Sequence, residues 1–306
     1  MRSRGRLLVA ALALLVTSAP LRAEDAEDLY KRGAYAEAAR AFEERLASKR
    51  TAPLLIACGN CYAQTGAYDQ AIARYQEALR LEPGNRDASR NLGRACYRAR
   101  RYPEAATALA RGLGDASDPA ELRLLASALE LSDDPGGAVI ALERAALLSP
   151  ADARVRKELA AAYSQAGRPT DAVKALRVAI ARDPADLTAW QPLGRAALQA
   201  GNKDDAIVAL DVAARLGASD HAGLALLGDL ELEAGLDLPA AHAYEAAIAT
   251  QPSNAEDLER LGLALLRGGE PRKALEALDR AIALGRGGLA PTYRARALEA
   301  LESRGR

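Results

Sequence analysis

At 306 residues the chain can hold two ordinary domains or one continuous array, and its 41 basic and 41 acidic side chains cancel to a formal charge of zero. Half of the residues are apolar, yet aromatics make up only 4% and Met occurs once, so Ala and Leu carry the apolar content and favour helix over sheet. No Val, Ile and Thr alternation of strand length is present, which leaves no basis for a sheet-based fold.

The first element is a leader. Arg2, Arg4 and Arg6 precede the apolar run Leu7 to Val16, then come Thr17, Ser18, Ala19 and Pro20, and small Ala23 stands before Glu24. That order predicts a secretory signal peptide over 1–23, cleaved after Ala23. The run is short for a membrane span, and an uncleaved anchor is the competing reading. The first cysteine is Cys58, so the segment offers no lipid-acceptor thiol. Cleavage would remove four arginines and leave 37 basic and 41 acidic side chains, a charge of −4. A mildly acidic product is a poor general nucleic-acid binder, and no stable membrane insertion is expected of it.

From residue 33 onward the chain repeats itself. Ala38, Ala71, Ala105, Ala138, Ala172, Ala206, Ala240 and Ala274 are 33 or 34 residues apart, and Gly precedes six of them by five positions. Arg100 and Asp133 stand in the Gly place of the other two. Small residues recur twelve before the Ala marker, as Gly59, Gly93, Ala126, Ala160, Gly194, Gly228 and Gly262. They recur seven after it, as Ala78, Gly112, Ala145, Ala179, Ala213, Ala247 and Ala281. Bulky residues such as Tyr75, Leu109, Leu142, Leu176, Leu210, Tyr244 and Leu278 accompany them, and Pro83-Gly84-Asn85, Pro150, Pro184 and Pro252 punctuate the units. Each unit therefore reads as two antiparallel helices of about three turns around a short turn. The small columns mark where helices cross closely, and the bulky residues fill the flanking space.

This pattern resembles the tetratricopeptide repeat family. Residues 52–85 carry it most fully, through Gly59, Tyr62, Gly66, Tyr68, Ala71, Tyr75, Ala78 and Pro83, and Trp190 adds the family's aromatic place in a later unit. The resemblance implies an all-α, right-handed solenoid of about eight helix-turn-helix units, at 24–51, 52–85, 86–118, 119–152, 153–186, 187–220, 221–254 and 255–288. A capping helix, Pro291 to Ser303, lies within 289–306. Two departures concern packing: Glu231 occupies a place held by Tyr or Leu in other repeats, and Arg45 replaces the small residue of repeat one.

In that family the first helices line a concave wall where extended partner segments lie. Carried onto this sequence, the wall comprises Asn60, Gln64, Arg90, Asn91, Arg94, Tyr97, Arg98, Arg123, Arg154, Lys157, Gln191 and Arg195, and ends in acidic Asp229, Glu233, Glu256 and Glu259. Arg86, Arg90, Arg94 and Arg98 are spaced by four, which makes one helix face a basic stripe suited to an acidic or carboxylate-bearing partner segment. A carboxylate clamp of the kind found in some relatives is not expected. Asn60 and Asn91 sit at two of its places, but Ile56, Ala120 and Leu124 hold the basic ones.

Catalytic chemistry has few candidates. His221 and His242 lack the spacing of a metal pair and read as solvated helix residues; no phosphate loop or nucleophile elbow is present, and neither metal nor cofactor is expected. Cys58-Gly59-Asn60-Cys61 has the spacing of a redox pair, but Cys58 falls inside a helix on an apolar column rather than at a helix start. Cys61 and Cys96 lie on consecutive first helices, where a disulfide could form in an oxidising compartment; Cys58 with Cys96 is the alternative. The resulting expectation is a non-enzymatic scaffold or adaptor of a bacterial cell envelope, periplasmic or secreted. An accessory subunit of an envelope enzyme is the rival, with a thiol redox protein behind it.

Overall fold

The computed structural model describes residues 25–114 and 118–304, so the leader over 1–23 lies outside the described residues. Apart from one 3-10 turn, every regular element among them is an α-helix. The chain divides into two compact units, one ending at Leu113 and the other starting at Gly114. The first holds α1 (Ala26–Lys31), α2 (Tyr35–Ser48), α3 (Ala52–Gln64), α4 (Tyr68–Leu81), α5 (Arg86–Arg98) and α6 (Tyr102–Gly112). The second holds α7 (Pro119–Glu130), α8 (Pro135–Leu148), α9 (Ala153–Gln165), α10 (Pro169–Arg182), α11 (Trp190–Gln199), α12 (Lys203–Arg215), α13 (His221–Glu233), α14 (Asp237–Thr250), α15 (Ala255–Arg267), α16 (Pro271–Ala283) and α17 (Ala290–Arg304).

Within each unit the helices form hairpins, and each hairpin packs on the next. Local chemistry sets the boundaries. Most first helices start on an Asx cap: Asn85, Asp118, Asp152, Asp220 and Asn254 accept backbone N–H groups of their own first turns. They end on a residue in the left-handed region. Gly66, with φ of 79°, is followed by Ala67, whose N–H closes on the Tyr62 carbonyl at 2.9 Å. Arg100 and Asp133 adopt the same conformation, with φ of 60° and 63°, although neither is glycine. Pro103, Pro135, Pro169 and Pro271 then sit in the first turns of second helices, where a missing N–H costs nothing. The exception is α11, ten residues long after a 3-10 turn at Leu187–Ala189. Pro192 explains it, since it cannot donate to the Thr188 carbonyl and so a regular first turn cannot close.

The Ala marker column is fully buried in all eight hairpins. The bulky column sits directly on the small one instead of beside it. A Cβ added to Gly59 would lie 2.6 Å from the Tyr75 ring, and one on Gly93 would lie 2.5 Å from Leu109 Cγ. The sequence places the bulky residues in flanking space; the structure stacks them over the missing Cβ, because sixteen residues around the turn return the second helix to the same level. Arg45 is accommodated because α1 has only six residues; its guanidinium leaves the crossing and pairs with Asp25 at 3.2 Å and Glu27 at 2.6 Å. At the other end α17 closes the last hairpin with buried Ala290 and Ala297.

Candidate functional site

In the first unit an open pocket of about 590 Å³ lies along α3 and α5. Asn60, Ala63 and Gln64 from α3 and Asn91, Arg94, Ala95 and Arg98 from α5 line it, each set spaced by three or four so that one helix face is presented. Tyr30, Tyr68 and Tyr75 complete the lining. The Tyr75 ring is buried against Gly59, and its hydroxyl donates to Asn60 Oδ1 at 2.7 Å. Asn91 Nδ2 donates to the same oxygen at 3.0 Å. The Asn60 amide is thereby oriented by two donors, and burial pushes the Tyr75 phenol well above its ordinary pKa, so it stays a donor. The pocket carries two guanidinium groups and no carboxylate.

Five residues of the expected wall thus meet in one place: Asn60, Gln64, Asn91, Arg94 and Arg98. Two others do not. Arg90 is drawn aside into an ion pair with Asp87, and its stem crosses Gly112, where an added Cβ would lie 2.5 Å from Arg90 Cγ. Tyr97 packs edge-to-face on Tyr102 of α6, ring centres 5.6 Å apart. The three lining tyrosines were missed as site residues, although the period contains one of them: Tyr30, Gln64 and Arg98 are 34 apart and form one column.

In the second unit Arg123, Lys157, Gln191 and Arg195 of the expected binding residues bridge successive hairpins. Arg123 makes a bidentate pair with Glu158, at 2.5 Å through Nε, and Arg154 reaches the same carboxylate at 3.3 Å. Lys157 is held by Asp186 and by Thr188 Oγ1 at 2.9 Å, and its bond is the main reason the Asp186 carboxyl falls to about 2. Arg195 reaches Asp220 at 3.3 Å, and Gln191 exchanges two 2.9 Å hydrogen bonds with that residue. The acidic end is neutralised as well. Arg260 pairs with Asp229 and, at 2.9 Å, with Glu256; Lys203 meets Glu233 at 2.5 Å. Glu259 accepts the Ala290 N–H at 3.0 Å, which caps α17. Arg123–Glu158, Lys157–Asp186 and Arg260–Asp229 meet because the hairpin repeat brings residues about thirty apart in sequence close together.

All three cysteines are free thiols and buried, so neither the Cys61–Cys96 nor the Cys58–Cys96 bridge is formed. Cys58 gives its hydrogen to Glu43 Oε1 at 3.4 Å, and Cys61 packs in the apolar cluster with Leu29 and Phe42. Burial raises Cys58 to about 12 and Cys61 and Cys96 to about 11, the opposite of a redox-active pair. Of the histidines, His242 is exposed as expected, but His221 is not solvated. Its Nε2 lies 2.6 Å from Oδ2 of buried Asp257, with Asn254 Nδ2 at 3.3 Å.

Two family models described as tetratricopeptide repeat match the chain. One aligns to residues 62–129, 131–191 and 165–230, and the other to 226–291. No curated protein matches. Among solved structures, the chain is similar to the C-terminal part of a TPR repeat-containing protein from Cytophaga hutchinsonii, at 18% identity and a TM-score of 0.60, covering 77% of this chain and 98% of that one. The structure of Naa15/Naa10 bound to HypK-THB matches at 18% identity and a TM-score of 0.62, over 87% of this chain and 42% of the other. YrrB, described as a TPR protein with an unusual peptide-binding site, matches at 22% identity and a TM-score of 0.50, over 57% and 91%. At these identities the likeness is one of fold.

Proposed function

Because the chain belongs to the tetratricopeptide repeat family, we propose that it is a non-catalytic protein-interaction scaffold of a bacterial cell envelope, and that its first unit binds an acidic or carboxylate-bearing partner segment. One observation carries the ligand class: the pocket along α3 and α5 holds Arg94 and Arg98, oriented amides at Asn60 and Asn91, and no acid. Amides serve an extended backbone, which offers both donors and acceptors, while the guanidinium groups serve a carboxylate. The leader with its Arg2, Arg4 and Arg6 supports the envelope. Among the described residues no helix is long and apolar enough to cross a membrane.

The test is a charge reversal confined to the pocket. Arg94→Glu with Arg98→Glu should abolish recovery of the partner from envelope extracts and leave helix content and melting temperature nearly intact, since both residues are exposed. Reversing Arg90 should have little effect, because Asp87 already holds it. Binding by the native protein should weaken as salt rises through about 0.15 M, where screening reaches about 8 Å. Unchanged recovery by the double variant would remove the acidic-segment reading.

A further inference from the structure

One interaction recurs between consecutive hairpins. Tyr62 of α3 donates its hydroxyl to Glu43 of α2 at 3.1 Å, and Tyr163 of α9 donates to Glu143 of α8 at 2.8 Å. In both, a Tyr four residues before the left-handed turn of a first helix meets a carboxylate five residues after the Ala marker of the preceding second helix. The sixth and seventh hairpins keep the carboxylate, as Asp211 of α12, but place Glu231 where the Tyr would be. An acid therefore takes the place of the tyrosine, within electrostatic reach of another acid.

Nothing around Glu231 neutralises it. Its side chain is 5% exposed, and Oε2 has no hydrogen-bond partner among the described residues. On α12, Arg215 is held by Asp211 at 3.4 Å and Lys203 by Glu233 at 2.5 Å. α14 carries no Lys or Arg; its Tyr244 hydroxyl goes to Asp229 at 2.6 Å, and its His242 and Glu245 are exposed. On α11, Arg195 is turned to Asp220. The contrast with the other junctions is direct, for Arg74 binds Glu43 at 2.7 Å and Arg168 lies 3.5 Å from Glu143.

We propose that Glu231 is held in the α12–α13 junction as a neutral acid, in the place that a tyrosine takes at other junctions, and that loss of its proton loosens the junction, making it a pH-responsive joint within the second unit. Asp211 is half-exposed and paired with Arg215, whereas Glu231 is buried with no cation of its own, so ionising Glu231 there is costly. Burial first, and Asp211 second, raise the Glu231 carboxyl from 4.5 to about 7. The neutral form is the one the fold favours, so the junction is tightest in acid. It weakens as pH rises from the unfolded value toward 7, and stays at its loosest above that. The linkage gives an opening constant that increases about tenfold between pH 6 and pH 8. This is independent of the pocket in the first unit.

Hydrogen exchange of the intact protein, corrected for intrinsic rates, reads the joint directly. Amides of α12 and α13 should lose about tenfold protection between pH 6 and pH 8, while those of α9 and α10 hold theirs. Glu231→Tyr restores the pattern of the other junctions and should flatten the pH response while keeping the junction closed at pH 8. Glu231→Gln, which keeps the shape and cannot ionise, should flatten it too. If the native protein shows no such loss, or if Glu231→Tyr shows the same loss as the native protein, the pH-responsive joint is refuted. Because the tyrosine variant uses a residue that already serves at two junctions, it keeps the test decisive should the glutamine variant fail to fold.

Discussion

Cys58 shows how much a residue's surroundings decide its chemistry. Its spacing to Cys61 is that of a redox pair, but it lies fully buried beside the Glu43 carboxylate, which repels a thiolate and accepts the S–H. A thiol held near 12 is protonated at neutral pH, and protonated thiols are poor nucleophiles. A chromogenic disulfide reagent should therefore react slowly with all three cysteines of the native protein at pH 7.5 and quickly with three after unfolding. Fast reaction of one thiol in the native state, or fewer than three after unfolding, would contradict the buried and unbridged arrangement. The arginines make the same point: Arg94 and Arg98 reach the pocket, while Arg90, one turn earlier on the same helix, is spent on Asp87.

The elements differ from one another chiefly at their ends. Six hairpin turns use glycine in the left-handed region, but α5 is followed by Arg100 and α7 by Asp133, each forced to the same φ. A side chain there costs about 1–2 kcal/mol, less for Asp than for Arg because a short polar side chain tolerates the conformation. Glycine is also freer in the unfolded chain, which offsets part of the gain. Arg100→Gly should thus stabilise the first unit by about 0.5–1 kcal/mol, read as a higher denaturant midpoint at unchanged slope, and Asp133→Gly should do less. A loss of stability on Arg100→Gly would mean that the Arg100 side chain makes contacts worth more than the strain. Element boundaries were legible because Asx caps, turn glycines and first-turn prolines are local signals. The shortened α11 was not anticipated, although Pro192 is a local cause of it.

At the scale of the whole molecule, consecutive hairpins within each unit rest on one another, so stability there accumulates one interface at a time. Those interfaces are dry at the Ala and bulky columns and ionic at the first helices, where Arg123–Glu158, Lys157–Asp186 and Arg260–Asp229 cross from one hairpin to the next. The proposed export also belongs to this scale, since a cleaved leader would affect the fate of the whole chain. The envelope proposal predicts a mature protein beginning at Glu24, and the intact mass of protein purified from native cells decides it. A mass that retains Met1 to Ala23, with the protein in the membrane fraction, would replace a soluble scaffold with an anchored one.

The 34-residue period was enough by itself to determine the architecture, because an alanine that recurs eight times at one spacing can be buried in every hairpin only if every hairpin is built alike. The helix ends followed from the same reading, since caps and turns depend on residues close in sequence. The site was only half legible. A column such as Tyr30, Gln64 and Arg98 can be read from the period, but which of its members stay available depends on partners about thirty residues away. The family resemblance therefore marked Arg123, Arg154, Lys157 and Arg195 as a binding wall; tertiary structure turned Arg123, Lys157 and Arg195 into ties between hairpins, while Arg154 reaches Glu158 within its own helix. Glu231 reads in the sequence as a packing irregularity; its meaning depends on the burial that only the stacking of one hairpin on the next imposes on it. Periodicity is a property of a single chain segment, whereas charge pairing is a property of two, and the pairing is decided in three dimensions.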